Sequence, residues 1–255
     1  SYTVSNVIST RYYPAGFLWD VRGSGLMDKS NMLYYLQGLI GSKVGINLFR
    51  VNNSTLSCQV ENIIQFPIIR SNMYKTLIDK IVKRNNYISK LDWDSHETSW
   101  DFQQNELISL IDCTEQDLNI ESLSPLCSTT TVYDNTETLY NKYSDTLSVV
   151  QQHFIGDTAT LQAEESPRAV RLQYLMERYH KKWNTLFMQL HANEEELNRQ
   201  FINIYGLQDE LTPDVPLEEI TILQQGEVSI ENNVLTWHDE VILKQLLSYA
   251  VGVWM

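Results

Sequence analysis

Apolar residues recur at spacings of three and four from Met32 to Val51, through Leu33, Leu36, Leu39, Ile40, Val44 and Leu48, which predicts a helical face with Ser30 or Asn31 as its N-cap. Gly38, Gly41 and Gly45 fall inside this stretch, and each costs a helix roughly 1 kcal/mol relative to Ala. Close packing against a neighbouring element is expected to compensate. A second helix is predicted after Ile69, with Leu77, Ile78, Ile81 and Val82 on one face and Lys75, Lys80, Lys83 and Arg84 largely on the other. After Pro167, itself suited to a first turn, Val170, Tyr174, Leu175, Arg178, Trp183, Leu186, Phe187 and Leu190 trace a long helical stripe to about His191. Asn193 then reads as the cap of a further segment that opens on Glu194-Glu195-Glu196 and stops at Tyr205-Gly206. The pattern leaves open whether the two segments form one bent helix. Pro213 and Pro216 mark a loop, Thr221 to Ile230 reads as extended, and Asp239 to Val251 as another helix.

Strand signals concentrate in the first third. Val4 to Tyr13 is β-branched and aromatic, Pro14-Ala15-Gly16 is a turn, and Phe17-Leu18-Trp19 begins a second strand. Thr55 to Gln59 alternates like a strand, and Ile63 to Ile69 reads as an apolar strand whose Pro67, lacking an amide donor, belongs at a sheet edge. Residues 89–104 predict a short helix and a turn with buried aromatics, with Trp93, Trp100 and Trp183 as architecture and core. Residues 105–160 are rich in Ser, Thr and Asp, with little periodicity beyond a helix near 137–153. The expected fold class is α+β: a small mixed α/β module at 1–104, an acidic insertion at 105–164, and long helices forming a spacer or bundle at 165–255.

Composition supports a globular chain, since 43% of the 255 residues are hydrophobic and 20% are charged. No apolar run approaches the roughly 20 residues needed to span a bilayer, and the first residues lack the basic-then-apolar pattern of a secretory signal. Cys58, Cys113 and Cys127 are distant and odd in number, which argues against a disulfide framework and favours the cytoplasm. Ser1 in place of an initiator Met, and the apolar end at Ala250 to Met255, point to an excised piece of a longer protein.

The net charge of -13 conceals an asymmetry. Residues 1–90 carry 11 basic and 4 acidic side chains, residues 91–160 carry 1 and 13, and residues 161–255 carry 7 and 15. Only the first third is suited to neutralising phosphates, the main source of affinity for DNA. There, Arg11, Tyr12, Tyr13, Arg22, Lys29, Lys43, Asn52, Asn53, Ser54, Thr55, Gln59 and Arg70 interleave cations, amides, hydroxyls and aromatics in predicted turns. Those groups contact phosphates and base edges.

Catalytic signatures are absent from the sequence. It contains no Gly-x-x-x-x-Gly-Lys loop, no Gly-x-Gly-x-x-Gly turn after a strand, no Gly-x-Ser-x-Gly elbow and no His-Glu-x-x-His helix. His96, His153, His180, His191 and His238 are dispersed, and none has metal-ligand spacing to another cluster. Asp92, Asp94, Glu97 and Asp101 lie close in sequence, but without a Gly-bearing calcium-loop spacing they read as capping and solvated groups.

Four stretches carry a resemblance: RYYPAGFLWDVRGSG at 11–25, NNSTLSCQVENIIQFPII at 52–69, SKLDWDSHETSWDF at 89–102 and ANEEELNRQFINIYGLQDELTPDV at 192–215. Together they resemble the carboxy-terminal half of the large adenine-specific DNA methyltransferases of bacterial BREX phage-exclusion systems, the PglX type, over roughly 1–104 and 165–255. More loosely, the second stretch and the helix after it are similar to the close of a target-recognition domain in type I specificity subunits and fused type IIG enzymes. The resemblance implies a whole enzyme that transfers a methyl group from S-adenosylmethionine to N6 of an adenine flipped out of the duplex. The family's Asn-Pro-Pro-Tyr and cofactor-binding Gly-rich motifs are missing here, so this chain is expected to be inactive alone, to bind no cofactor itself, and to choose the sequence on double-stranded DNA. Its other expected partners are the catalytic half of the parent protein and further defence-system proteins. The residues expected at the DNA are Arg11, Arg22, Lys43 and Arg70 at phosphates, with Tyr12, Asn52, Asn53 and Gln59 nearer the bases. The alternative reading is a module that assembles the same defence complex through its acidic helices without binding DNA.

Overall fold

A computed structural model describes residues 10–17, 25–28, 30–52, 63–112 and 167–254 of the chain. The chain divides into two compact units, one combining residues 1–108 with 181–255 and the other comprising 109–180. The described elements are α1 (Leu33–Gly41), α2 (Lys43–Asn52), α3 (Asn72–Asp94), α4 (Glu106–Asp112), α5 (Pro167–Tyr205), a 3-10 turn at Leu217–Glu219, β1 (Val228–Glu231), β2 (Val234–Trp237) and α6 (Asp239–Trp254). The class is α+β, with helices dominant and one small sheet among the described residues.

The single stripe expected at 32–51 is two helices, because Ser42 interrupts it. Its backbone is extended, its amide donates to the carbonyls of Gly38 and Leu39, and its buried hydroxyl accepts from the Gly45 amide at 3.2 Å while donating to Leu39 O at 2.7 Å. Ser42 thereby ends α1 and caps α2. At the start of α1 neither Ser30 nor Asn31 caps. Met32 is the N-cap and no side chain caps the helix; the Asp28 carboxylate instead holds the segment leading into it, accepting from the Ser30 amide at 2.9 Å, the Ser30 hydroxyl and the Met32 amide, while Asn31 takes a left-handed φ of 59°. These bonds, first of all the one from the Ser30 hydroxyl, hold the Asp28 carboxyl below the usual range.

The glycines meet the demand for close packing unequally. A Cβ on Gly38 would lie 2.9 Å from Val82 Cγ2 and 3.3 Å from Ile78 Cγ2, so α1 crosses α3 at a side-chain-free position. On Gly45 it would overlap the Leu39 carbonyl oxygen and lie 2.8 Å from Ile40 Cα, backbone that cannot step aside. At Gly41 the nearest atom is Thr10 Oγ1 at 3.8 Å, so that glycine is under no such constraint.

The core of the first unit is built from Met32, Tyr35, Leu39, Val44, Ile78, Ile81, Val82, Leu197, Phe201 and Ile202, so α1, α2, α3 and the end of α5 share one apolar interior. Tyr35 and Phe201 meet edge to face with centroids 5.3 Å apart. Side-chain amides lock the helices laterally. Gln37 and Asn86 exchange two hydrogen bonds at 2.7 and 2.9 Å, Asn193 donates to Asn85 at 2.8 Å, and Arg84 grips Gln189 Oε1 with two nitrogens at 3.1 and 2.8 Å. Trp183 is fully buried, as expected, but Trp93 is 45% exposed and Trp100 wholly so, which corrects the expectation of buried aromatics at 89–104. That segment ends α3 and enters a turn, with Trp100 projecting beyond the packed face.

Ile63 to Ile69 is not a strand: Ile63 and Ile64 form a helical turn, and residues 66–70 run without regular structure. Two tyrosine hydroxyls take the place of a sheet partner. Tyr205 Oη donates to Pro67 O at 2.6 Å and accepts from the Ile69 amide at 3.3 Å, while Tyr35 Oη donates to Ile69 O at 2.8 Å. Burial raises both tyrosines above their ordinary pKa. Residues 10–17 likewise contain no strand, although the turn at Ala15-Gly16 is present with Gly16 at φ 104°. The expected strand at Thr55 to Gln59, the parts of the opening strands at 4–9 and 18–19, and the helix near 137–153 lie outside the described residues.

The segments expected on either side of Asn193 are one helix, α5. Asn193 sits buried within it, and the Glu194-Glu195-Glu196 run is therefore mid-helix, away from any N-terminal dipole. The stop at Gly206 is as the sequence predicts. Gly206 has φ 68°, its amide donates to Asn203 O at 3.3 Å, and the Leu207 amide donates to Ile202 O at 3.0 Å, the paired bonds of a Schellman motif. Thr221 to Ile230 is mainly turns and enters β1 at Val228. β1 and β2 form an antiparallel hairpin with Ile230 opposite Leu235, turned by Asn232 and Asn233, both with positive φ as that two-residue turn requires. In the second unit the described residues are 109–112 and 167–180, where Arg178 stacks over the Tyr174 ring at 5.6 Å.

Candidate nucleic-acid interface

The structure brings some of the sequence-predicted site residues onto one exposed strip and places others apart. Arg11 and Tyr12 belong to the strip. The Arg11 guanidinium lies 5.6 Å from the ring of Trp93 at the end of α3, and Tyr12 stacks on Tyr34 of α1 with centroids 5.7 Å apart. Lys83 Nζ sits 4.9 Å from the same Tyr34 ring, and Tyr13 meets Phe17 with centroids 5.2 Å apart. Tyr12 is 40% exposed, and Tyr13, Phe17 and Trp93 more so. Burial, and then the hydrogen bond with Tyr12, raise the Tyr34 phenol above its ordinary pKa.

Acidic groups near the strip pair with other cations. Asp79 pairs with Lys75, while Asp94 and Asp101 flank Lys90 at 2.5 and 2.8 Å. Contact with Asp101 and Asp94 holds the Lys90 ammonium above its ordinary pKa. Neither Arg11 nor Lys83 has an ion-pair partner among the described residues. The local result is two cations without an ion-pair partner among the described residues, beside partly exposed aromatic side chains, in a protein whose overall charge is -13.

Lys43 opens α2, where its amide donates to Asn198 Oδ1 at 2.9 Å and its ammonium to Asp214 O, tying α2 to α5 and the loop beyond. Asn52 is the exposed last residue of α2. Arg70 is exposed in the stretch held by the two tyrosines, and its charge contributes to lowering the Asp28 carboxyl. Arg22, Asn53 and Gln59 lie outside the described residues.

A buried polar cluster escaped sequence reading altogether. His96 Nδ1 lies 2.7 Å from Asp92 O, and Nε2 lies 2.6 Å from Glu227 Oε1. Both partners accept, so both ring nitrogens carry protons and the ring is an imidazolium against a carboxylate. Burial opposes each charge, yet the contact between them prevails, raising the His96 pKa and lowering that of Glu227. Gln245 of α6 donates to Glu227 Oε1 at 2.7 Å and the Gln225 amide to Oε2 at 2.9 Å. Asp92 accepts from the amide of Leu223, a buried residue at φ 59°, and burial pushes its carboxyl up to about 6. This cluster clasps α3, the 222–227 turn and α6 together. Glu227 is 131 positions from His96, and no local spacing signals the pairing.

Of the carboxylates expected as capping or solvated groups, Asp94 and Asp101 are in ion pairs, Glu97 accepts from Ser248 at 2.8 Å, and Asp92 is buried instead. No group of three metal-ligating side chains occurs among the described residues, and none of their helices is long and apolar enough to cross a membrane.

Comparison with known proteins shows a relation to one kind of enzyme. The chain is 23% identical over 219 residues to the adenine-specific methyltransferase PglX of Lacticaseibacillus casei, a match covering 86% of this chain and 14% of that protein. It is 34% identical over 103 residues to the adenine-specific methyltransferase BrxX of Escherichia coli O9:H4, covering 39% of this chain and 8% of that protein. The chain is a relative of adenine-specific methyltransferases. It spans only a small part of the length of each. No protein-family model matches the chain, and no solved structure matches it.

Proposed function

We propose that this chain selects the DNA sequence on which a much larger, BREX-type adenine-specific methyltransferase acts in bacterial phage defence. The observation that carries the reading is the match to PglX: it runs along 86% of this chain but 14% of the relative, over a stretch without an Asn-Pro-Pro-Tyr motif. Methyl transfer from S-adenosylmethionine then belongs to the catalytic half of the parent protein, and this part supplies contact with the duplex in the bacterial cytoplasm. The module of residues 1–104 enters a groove, and the helices from about 165 onward act as spacer and dock on the catalytic half. Arg11, Arg22, Lys43 and Arg70 position phosphates, while Tyr12, Asn52, Asn53 and Gln59 reach toward base edges.

The test is duplex binding by the chain across a salt series. Affinity should fall steeply with salt, and Arg11→Ala or Arg70→Ala should each reduce the slope of log affinity against log salt by about 1. Absence of binding at low salt by the folded chain would contradict the reading.

One observation favours assembly of a defence complex as a second reading. Leu247 and Val251 of α6 are 64% and 57% exposed beside Glu97 and Lys244, leaving an open, mainly apolar surface. Under that reading duplex binding is negligible and insensitive to either arginine substitution.

A further inference from the structure

We propose that the strip formed by Arg11, Tyr12, Tyr34, Lys83 and Trp93 holds unpaired nucleotides, the strand left without its partner when a base leaves the duplex. The inference rests on the DNA-selecting role above and assigns this surface a ligand within it. An intact duplex presents phosphates outward and keeps its base faces stacked, so cations alone would serve to hold it. Here each cation comes with an aromatic ring: Arg11 over Trp93 at 5.6 Å and Lys83 over Tyr34 at 4.9 Å, with Tyr12 stacked on Tyr34 at 5.7 Å. Tyr12 and Trp93 have intramolecular partners yet stay 40% and 45% exposed, so neither side chain is closed off from solvent. Exposed aromatic surface beside backbone-neutralising cations is the combination that binds single strands, where bases stack on side chains and phosphates meet Lys and Arg.

The dimensions agree. Lys83 and Trp93 are ten residues apart on α3, about 15 Å along its axis, long enough to contact a short run of unpaired nucleotides. Arg11 and Tyr12, adjacent in sequence, bridge that span from the opposite side. Asp79 is paired with Lys75, and Asp94 and Asp101 share Lys90, so none of these three carboxylates is engaged with Arg11 or Lys83.

The experiment measures binding of the whole chain to three fluorescein-labelled DNAs: a twelve-nucleotide oligothymidine, a duplex with one abasic position, and the same duplex fully paired. The single strand and the interrupted duplex should bind at least about tenfold more tightly than the paired one. Tyr12→Ala and Trp93→Ala should each remove roughly tenfold of that preference; for Trp93→Ala binding to the paired duplex should stay unchanged within about twofold, and Trp93→Phe should restore most of the preference. Both side chains are substantially exposed, and circular dichroism verifies that each variant folds. Equal binding to all three DNAs, or a preference indifferent to the alanine variants, overturns the strip proposal while leaving duplex recognition standing. Failure to bind any of the three overturns both.

Discussion

Gly45→Ala should destabilise the first unit by at least about 2 kcal/mol, read by chemical denaturation, because the added methyl group overlaps backbone at the α1–α2 corner. Gly41→Ala, which meets nothing closer than 3.8 Å, should be neutral or slightly stabilising. The His96–Glu227 pair makes a prediction with a sign. The His96 pKa is raised, so its contribution is complete below the unfolded value near 6.5 and is lost as pH climbs through the folded one. The Glu227 pKa is lowered, so its contribution is complete above 4.5 and is lost as pH falls through the folded value. The pair therefore stabilises most between about 4.5 and 6.5. His96→Ala should cost about 3–5 kcal/mol in that window by stranding a buried carboxylate, and less outside it. Glu194 behaves oppositely to Glu227: burial, then Glu219, push its carboxyl up to about 7, so the folded state favours its protonated form. Stability should fall as pH rises from 4.5 to about 7, by at most about 3 kcal/mol. Glu194→Gln should flatten that limb in a pH series of unfolding curves. Little of this was legible in the sequence. The expected caps, Ser30 and Asn31, do not cap α1, since Ser30 is held by the Asp28 carboxylate and Asn31 takes a left-handed backbone. The His96 partner is too distant in the chain for any local pattern to reveal.

Elements with a strong local signal are where the sequence places them. The two-faced α3 spans Asn72–Asp94, α6 spans Asp239–Trp254, and the Gly206 stop is a Schellman motif. Elements whose state depends on remote partners were misread. Ile63 to Ile69 has strand composition, but in the first unit its backbone is satisfied by Tyr35 and Tyr205, the latter more than 130 positions away. Asn193 resembles a cap, yet its amide is held by Asn85 of α3, so the helix runs through it. Tyr205→Phe tests the strap directly. It removes one donor and one acceptor for the 67–69 backbone, should cost about 1–2 kcal/mol, and should accelerate hydrogen exchange at the Ile69 amide while leaving the mid-α3 amides protected.

For the molecule as a whole, the sequence displayed the charge asymmetry and the absence of catalytic motifs, and the relation to adenine-specific methyltransferases agrees with the resemblance carried by its four stretches. What it did not display is that residues 1–108 and 181–255 fold as one unit, since no pattern in either segment names the other as its core partner. Nor did it mark the aromatic–cation strip, whose members come from the opening segment, α1 and α3. The central claim is that this unit chooses a DNA sequence, and the most direct test is selection from a pool of random duplexes at low and moderate salt, with sequencing of the retained DNA. An enriched motif, lost in Arg11→Ala and Arg70→Ala variants, is the expected result. Retention of the pool without enrichment, or no retention by the folded chain, would contradict it.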